Sequence, residues 1–174
     1  MEIINGAIFE HIEFPESEFG VFVDLDGTLQ VNIGYNAEFT NIQFFKNAIE
    51  KLREYSAEKK AIFIVTNQSG IERNFFTLTQ MLKYHQDIVQ FLRRENIRVN
   101  AIMTCPHMPD PTGKSTCQCR KPAPFMIKEL ERIYELNLQK CIFIGDSDSD
   151  QDAAEYCKVT FFRITVEEDW KEVP

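Results

Sequence analysis

Two closely spaced pairs of metal-ligand side chains lie in the second half of the chain. Cys105 and His107 form one pair, and Cys117 and Cys119 form the other, with one residue between the members of each pair. Three thiolates and an imidazole make up the ligand set of a closed, tetrahedral structural zinc site. The spacing therefore predicts that these four residues hold Zn²⁺. Unconnected core residues are the alternative explanation, and the paired spacing disfavours it.

Two cationic residues follow this loop directly. Arg120 and Lys121 come immediately after Cys119, and both side-chain types bind phosphate. A metal-bound loop that ends in two cations would hold positive charge in place for an anionic substrate. The chemistry that this arrangement favours is therefore reaction at a phosphate group.

Carboxylates form a second group of candidate functional residues. Asp24 and Asp26 follow the apolar run 19–23, and Asp146 follows the apolar run 141–144. Side chains two apart in an extended segment point to the same side. Clustered carboxylates repel one another unless a cation joins them, and hard oxygen ligands suit Mg²⁺. The alternative is a simple turn or a Ca²⁺-like loop. Matched polar groups follow three separate apolar runs, and this repetition disfavours the alternative.

The elements that must position these residues alternate between strands and helices. Nearly continuous apolar runs, typical of strands buried on both faces of a parallel sheet, cover 19–23, 61–65, 101–103 and 141–144, with a candidate edge strand at 159–164. Helical periodicity covers 41–55, 77–95 and 123–137. This alternation predicts a Rossmann-like, doubly wound α/β fold with a mainly parallel sheet. Because such folds bind ligands beyond the carboxyl ends of their strands, the polar groups should meet at one edge.

Length, charge and cysteine content narrow the class of protein. The 174 residues fit one domain, 1–174, in which 1–18 form either a hairpin or an irregular arm. The net charge of -8 disfavours a protein that binds duplex nucleic acid. Since no signal peptide or membrane-length apolar run is present, we read the five cysteines as belonging to a reducing, cytoplasmic compartment. The acidic run 167–169 should be exposed to solvent.

Four stretches of sequence resemble, in order, the signature motifs of the haloacid dehalogenase superfamily of phosphatases. They are Asp-Leu-Asp-Gly-Thr-Leu (24–29), Val-Thr-Asn-Gln-Ser-Gly-Ile (65–71), Arg-Lys-Pro (120–122) and Gly-Asp-Ser-x-x-Asp (145–150). The Cys/His loop before Arg-Lys-Pro is similar to that of the branch containing heptose 1,7-bisphosphate phosphatase and the histidinol-phosphate phosphatase domain. The resemblance covers roughly residues 19–157, and the intervals between its motifs leave no space for a large cap domain.

The resemblance implies a role for each matching residue. Asp24 would be the nucleophile that forms an aspartyl-phosphate, and Asp26 would be the general acid and then the general base. Mg²⁺ would be bound by Asp24, the backbone carbonyl of Asp26, and Asp146. Thr66 and Lys121 would hold the phosphoryl oxygens, and Asp150 would orient Lys121 or a metal-bound water. Further substrate contacts are implied for Asn32, Gly34, Tyr35, Asn67, Gln68, Ser69 and Arg120, with Arg73 placed to bind a second anionic group.

Departures from the family pattern bear on which substrate the protein binds. The catalytic residues match the pattern. Leu25 stands where the heptose and histidinol enzymes usually have arginine, and Asn32 stands where they often have aspartate. We expect a monomeric, Mg²⁺-dependent phosphomonoesterase that acts on a small phosphorylated metabolite, such as heptose 1,7-bisphosphate, and has no nucleic-acid or membrane partner. The alternatives are a histidinol-phosphate phosphatase, a polynucleotide 3'-phosphatase and a non-catalytic, zinc-stabilised binding module.

Overall fold

The computed structural model describes residues 1–165 and 170–174, so the acidic run 167–169 lies outside the described residues. The strands of the described part are β1 (Glu2–Ile4), β2 (Ala7–His11), β3 (Gly20–Val23), β4 (Ala61–Asn67), β5 (Ala101–Cys105), β6 (Ile142–Gly145) and β7 (Thr160–Arg163). The helices are α1 (Lys46–Ala57), α2 (Leu78–Arg94), α3 (Phe125–Tyr134) and α4 (Asp148–Cys157). None of these helices has the length and apolar character needed to cross a bilayer.

All seven strands form one sheet in the order β1-β2-β5-β4-β3-β6-β7. The five strands from β5 to β7 are parallel, and the β1–β2 hairpin extends the sheet antiparallel to β5. The expected mainly parallel, doubly wound sheet is therefore confirmed, and β7 is the expected edge strand. Residues 1–18 comprise the hairpin followed by an irregular segment.

The position of β3 fixes where a ligand can bind. β3 pairs with β4 on one side and with β6 on the other, so the strand order reverses beside it. Val23 lies opposite both Ile64 and Ile144, which brings the residues just after these three strands together. This reversal is the switch point at which open α/β sheets bind ligands.

Both faces of the central strands β3, β4, β5 and β6 are buried, as the continuous apolar runs predict. Phe22, Phe63 and Phe143 point to the face covered by α3 and α4. Alternate residues on the same strands, including Val23 and Ile64, point to the face covered by α1 and α2. The sheet is thus held between two apolar layers, which gives the strand ends a rigid base.

The start of the first helix differs from the predicted one. α1 begins at Lys46, whereas the periodicity predicted a helix from residue 41. Two backbone hydrogen bonds explain the difference. The Val31 N–H donates to the Gln43 carbonyl, and the Phe45 N–H donates to the Leu29 carbonyl. Residues 42–45 are therefore held as an extended segment against the loop that follows β3. α2 begins close to its predicted start, where Thr77 and Gln80 form a capping box.

Candidate active site

Lys121 occupies the centre of the polar cluster at the strand ends. Its ammonium group lies 2.6 Å from Asp24 Oδ1 and 2.5 Å from Asp150 Oδ1, and it donates to the Val65 carbonyl at 2.7 Å. Lys121 is only 3% exposed and Asp150 is fully buried. A buried ion pair of this kind holds its members in fixed positions, since breaking it would leave a charge unpaired. The contact between Asp150 and Lys121 is the one expected from the sequence.

Negative charge exceeds positive charge in this cluster. Oxygens of Asp24, Asp146 and Asp150 all lie within 4.8 Å of one another, where they could hold a metal ion. Burial, together with the charges of Asp150 and Asp26, raises the pKa of Asp24 well above its usual value in spite of Lys121. Burial and Asp150 likewise raise the pKa of Asp146. One ammonium group beside three carboxylates leaves an anionic site that a divalent cation would neutralise.

Asp26 is held by two glutamine side chains. Gln30 Nε2 donates to Asp26 Oδ1, and Gln68 Nε2 donates to Asp26 Oδ2, each at 2.7 Å. Gln30 Nε2 also lies 2.5 Å from the Tyr84 hydroxyl, which ties this arrangement to α2. Gln68 thus orients a carboxylate, and Gln30 is a site residue that the sequence motifs do not indicate.

Asn67 holds the main chain of Lys121. Its side-chain amide donates to the Lys121 carbonyl at 3.2 Å and accepts from the Lys121 N–H at 3.1 Å. Because both ends of the amide are used in this way, Asn67 fixes the main chain that carries Lys121.

A cavity of about 350 Å³ opens above these groups. It brings together every predicted catalytic, magnesium-binding and substrate-binding residue except Arg73, and it also contains Ser147 and Ser149. The full lining is Asp24, Asp26, Asn32, Gly34, Tyr35, Thr66, Asn67, Gln68, Ser69, Arg120, Lys121, Asp146, Ser147 and Ser149. Residues from the ends of β3, β4 and β6 therefore meet at one cavity, as the sequence predicts.

An aromatic pair stands at the mouth of this cavity. Tyr35 and Phe75 stack with ring centroids 4.5 Å apart, and both side chains are more than half exposed. The Arg73 guanidinium lies 5.7 Å from the centre of the Tyr35 ring. Arg73 is thus placed beside the cavity rather than in it, where it could reach only a part of a ligand that extends beyond Tyr35.

The four predicted zinc ligands converge at a second site. His107 Nδ1 lies 3.5 Å from Cys105 Sγ and 3.3 Å from Cys119 Sγ. The three sulfur atoms are 3.3 to 3.6 Å apart. A tetrahedral ion with metal–sulfur bonds of about 2.3 Å would separate its sulfur ligands by roughly 3.8 Å. The three cysteines are free of disulfides, and the four donor atoms fit a tetrahedral metal ion.

The segment 105–119, which carries these four residues and which we call the metal-binding loop, contacts the active-site cavity through Arg120. The Arg120 side chain donates to the His107 carbonyl at 3.0 Å, and Arg120 itself lines the cavity. The Met108 N–H donates to the Glu72 carboxylate, which connects the loop to the segment that carries Arg73. The position of Arg120 therefore depends on how firmly the metal-binding loop is folded.

Comparison with known proteins decides the family. A family model described as polynucleotide kinase 3 phosphatase matches residues 20–166. The chain belongs to this family of haloacid dehalogenase phosphatases. The D-glycero-beta-D-manno-heptose-1,7-bisphosphate 7-phosphatase of Photorhabdus laumondii is 35% identical over 142 residues, covering 80% of this chain and 76% of that protein. The enzyme of the same name from Yersinia pestis is 35% identical over 137 residues, covering 77% and 73%.

A solved structure of a haloacid dehalogenase phosphatase supports the same placement. The D,D-heptose 1,7-bisphosphate phosphatase of B. bronchiseptica, in complex with magnesium and phosphate, has a TM-score of 0.76 and 25% identity to this chain. The match covers 83% of this chain and 79% of that one. As a member of this phosphatase family, the protein is a phosphoric monoester hydrolase.

Gly27 allows the phosphatase to place Asp146 beside Asp24. Gly27 has a φ of +89°, and a Cβ built on it would lie 2.2 Å from Asp146 Oδ2. We expect Gly27→Ala to displace Asp146 and to raise the Mg²⁺ concentration for half-maximal activity on the order of tenfold or more. Magnesium titration of phosphate release measures this.

Gly113→Ala is the matched control for Gly27→Ala. Gly113 has a similar φ of +86°, and no atom lies within 4 Å of a Cβ built there. An equal shift in both variants would mean that backbone strain, rather than contact with Asp146, causes the effect.

Proposed function

We propose that the protein is a Mg²⁺-dependent phosphomonoesterase that hydrolyses a sugar bisphosphate, with heptose 1,7-bisphosphate as the preferred candidate, through an aspartyl-phosphate intermediate. The observation that carries this proposal is the placement of the Asp24 carboxylate. It lies at the switch point of the sheet, 2.6 Å from the Lys121 ammonium and lining an open cavity. Similarity to heptose bisphosphate phosphatases supports the choice of substrate.

In the first step a carboxylate oxygen of Asp24 attacks phosphorus, and the bond from phosphorus to the leaving oxygen breaks. Asp26 donates a proton to that oxygen as it leaves. Lys121 and the Thr66 hydroxyl stabilise the negative charge on the other phosphoryl oxygens. Lys121 is suited to this role because its contacts with Asp24, Asp150 and the Val65 carbonyl hold it in place before the substrate arrives.

In the second step water hydrolyses the aspartyl-phosphate. Asp26 accepts a proton from that water and so returns to its starting protonation state. The amide groups of Gln30 and Gln68 keep the carboxylate aimed at the cavity, and each carboxylate oxygen retains a free lone pair for the proton. Asp26 can therefore serve both steps without changing its position.

The donor sets indicate which metal belongs at each site. Oxygens of Asp24, Asp146 and the Asp26 main chain would hold Mg²⁺, since hard oxygen ligands suit that ion. When bound, Mg²⁺ offsets the repulsion between the nucleophile and the phosphate. Cys105, His107, Cys117 and Cys119 would hold Zn²⁺ in a structural role, because four protein ligands leave no position open for water.

The remaining assignments concern substrate contacts and the state of the protein. Substrate contacts remain proposed for Arg73, at an anionic group beyond Tyr35, and for the following residues at the leaving group: Asn32, Gly34, Tyr35, Asn67, Gln68, Ser69 and Arg120. The chain is proposed to act as a single, capless domain and as a monomer. Reduced cysteines and a thiolate metal site favour the cytoplasm as its location.

A substrate comparison tests the proposed function. We expect phosphate release from heptose 1,7-bisphosphate to have a kcat/KM at least about 100-fold above that for 3'-phosphorylated oligonucleotides, since such a ratio corresponds to roughly 2.7 kcal/mol of differential binding. Histidinol phosphate should be similarly poor. The control is the Asp24→Asn protein, which separates this activity from contaminating phosphatases.

A polynucleotide 3'-phosphatase is the second candidate, favoured by the description of the matching family model. Turnover of 3'-phosphorylated oligonucleotides above that of the heptose bisphosphate would select it and reject the sugar substrate. The net charge of -8 argues against it, because nucleic-acid binding depends on neutralised phosphates.

A further inference from the structure

The β1–β2 hairpin, which lies outside the residues matched by the family model, reaches the metal-binding loop. Ile8 pairs with Thr104, and β5 ends one residue later at Cys105. This register places the hairpin turn, formed by Asn5 and Gly6, beside the start of the metal-binding loop. The turn has positive φ values of 47° at Asn5 and 83° at Gly6.

Gly6 lies directly against the imidazole of His107. A Cβ built on Gly6 would lie 2.9 Å from His107 Cε1 and 3.5 Å from Nε2. The neighbouring ring atom Nδ1, 4.0 Å from the same Cβ position, faces the sulfurs of Cys105 and Cys119. The hairpin turn thus contacts the imidazole next to its ligating nitrogen, and only a residue without a side chain fits there.

Apolar packing joins the hairpin to the same loop. Ala7, Phe9, Cys105 and Cys119 belong to one buried cluster and are each at most 5% exposed. Ile4 and Cys117 pack against this cluster from its edge. The hairpin therefore covers the metal ligands with apolar surface and limits the access of water and competing ligands to them.

We propose that the hairpin turn is a cover for the metal site and that Gly6 is a positioning residue for His107. The turn holds the imidazole in its ligating orientation and slows the loss of the ion. Since the His107 carbonyl also accepts from Arg120, the hairpin supports a side chain of the active-site cavity through this one residue. The inference rests on the metal assignment made above under the proposed function.

The test measures metal release rather than catalysis. Zn²⁺-loaded protein is mixed with excess 4-(2-pyridylazo)resorcinol, and the absorbance of the zinc–dye complex gives the release rate. Gly6→Asn adds a Cβ behind His107, while asparagine tolerates a positive φ. We expect it to release Zn²⁺ at least about tenfold faster than the unmodified protein, as is typical when support of a metal-bound histidine is lost.

Gly34→Asn is the matched control, because Gly34 lies outside the metal-binding loop, has a φ of +82° and has no atom within 4 Å of a Cβ built on it. Its release rate should stay within about twofold of the unmodified protein, since it leaves His107 and its support unchanged. Ile4→Ala, which trims the hairpin without changing the turn, should give a smaller increase than Gly6→Asn. Co²⁺-substituted protein provides a spectroscopic readout, because displacement of His107 changes the visible absorption of the tetrahedral ion.

The outcomes separate this inference from the metal assignment. If the unmodified protein binds no Zn²⁺, the metal assignment fails and the inference falls with it. If the unmodified protein holds Zn²⁺ and Gly6→Asn releases it at the same rate, the hairpin is not a cover. Equal acceleration in Gly6→Asn and Gly34→Asn would also overturn the proposal, because the contact with His107 would then be irrelevant.

Discussion

Asp24→Asn is expected to lower kcat for phosphate release by roughly 10⁴-fold or more, as loss of a covalent nucleophile typically does. An amide has no anionic oxygen to attack phosphorus, so no aspartyl-phosphate can form. The fold should remain intact, since asparagine has nearly the same shape and Lys121 keeps its contact with Asp150. Steady-state phosphate release measures kcat, and circular dichroism measures whether the fold is retained.

Asp152→Asn provides the matched control for the nucleophile. Asp152 is exposed on α4, and its substitution makes the same chemical change away from the cavity. Activity within about twofold of the unmodified protein is expected there, because exposed substitutions away from a site have small effects. Near-normal turnover by Asp24→Asn would contradict the assigned mechanism.

Lys121→Met should affect both stability and activity strongly. The substitution removes the one ammonium group between Asp24 and Asp150 and leaves two buried carboxylates facing each other. Breaking a buried ion pair in this way costs about 3–5 kcal/mol of the free energy of unfolding. Loss of the cation that contacts the phosphoryl oxygens should lower kcat as well.

Urea denaturation without Mg²⁺ measures the stability effect of Lys121→Met. Lys128→Met is its control, since Lys128 is half exposed and pairs with Glu131 at 3.0 Å. Exposed pairs contribute about 0–1 kcal/mol, so the control should stay near the unmodified protein. A Lys121→Met protein as stable as this control would show that the buried cluster is not held together by Lys121.

The sequence correctly predicted that residues following the buried strands come together. Asp24, Thr66 and Asp146 each come directly after an apolar run, and parallel strands necessarily bring their carboxyl ends to one edge. The metal ligands were predictable for a different reason, because their pairs are local and carry their own spacing. In both cases the information lies within a few consecutive residues.

The contacts that were not predicted depend on long-range packing. Gln30 reaches Asp26 because the Gly27 N–H bonds to the Gln30 carbonyl and closes a turn, and Tyr84 approaches Gln30 from α2. The pattern does not reveal that the Asn67 amide bonds to the Lys121 main chain. The placement of the hairpin depends on its register with β5, about 90 residues later, which local periodicity does not encode.

The most direct test of the central claim is to trap phosphate on the enzyme. Protein carrying Asp26→Asn lacks both the acid for the first step and the base for the second. It is therefore mixed with Mg²⁺ and 4-nitrophenyl phosphate, whose leaving group departs without a proton, then quenched in acid and digested for mass spectrometry. The account predicts one added phosphoryl group on the peptide that contains Asp24, and none when Asp24→Asn is combined with Asp26→Asn. A phosphoryl group on any other residue, or turnover by the unmodified enzyme with no labelled Asp24 in either protein, would contradict it.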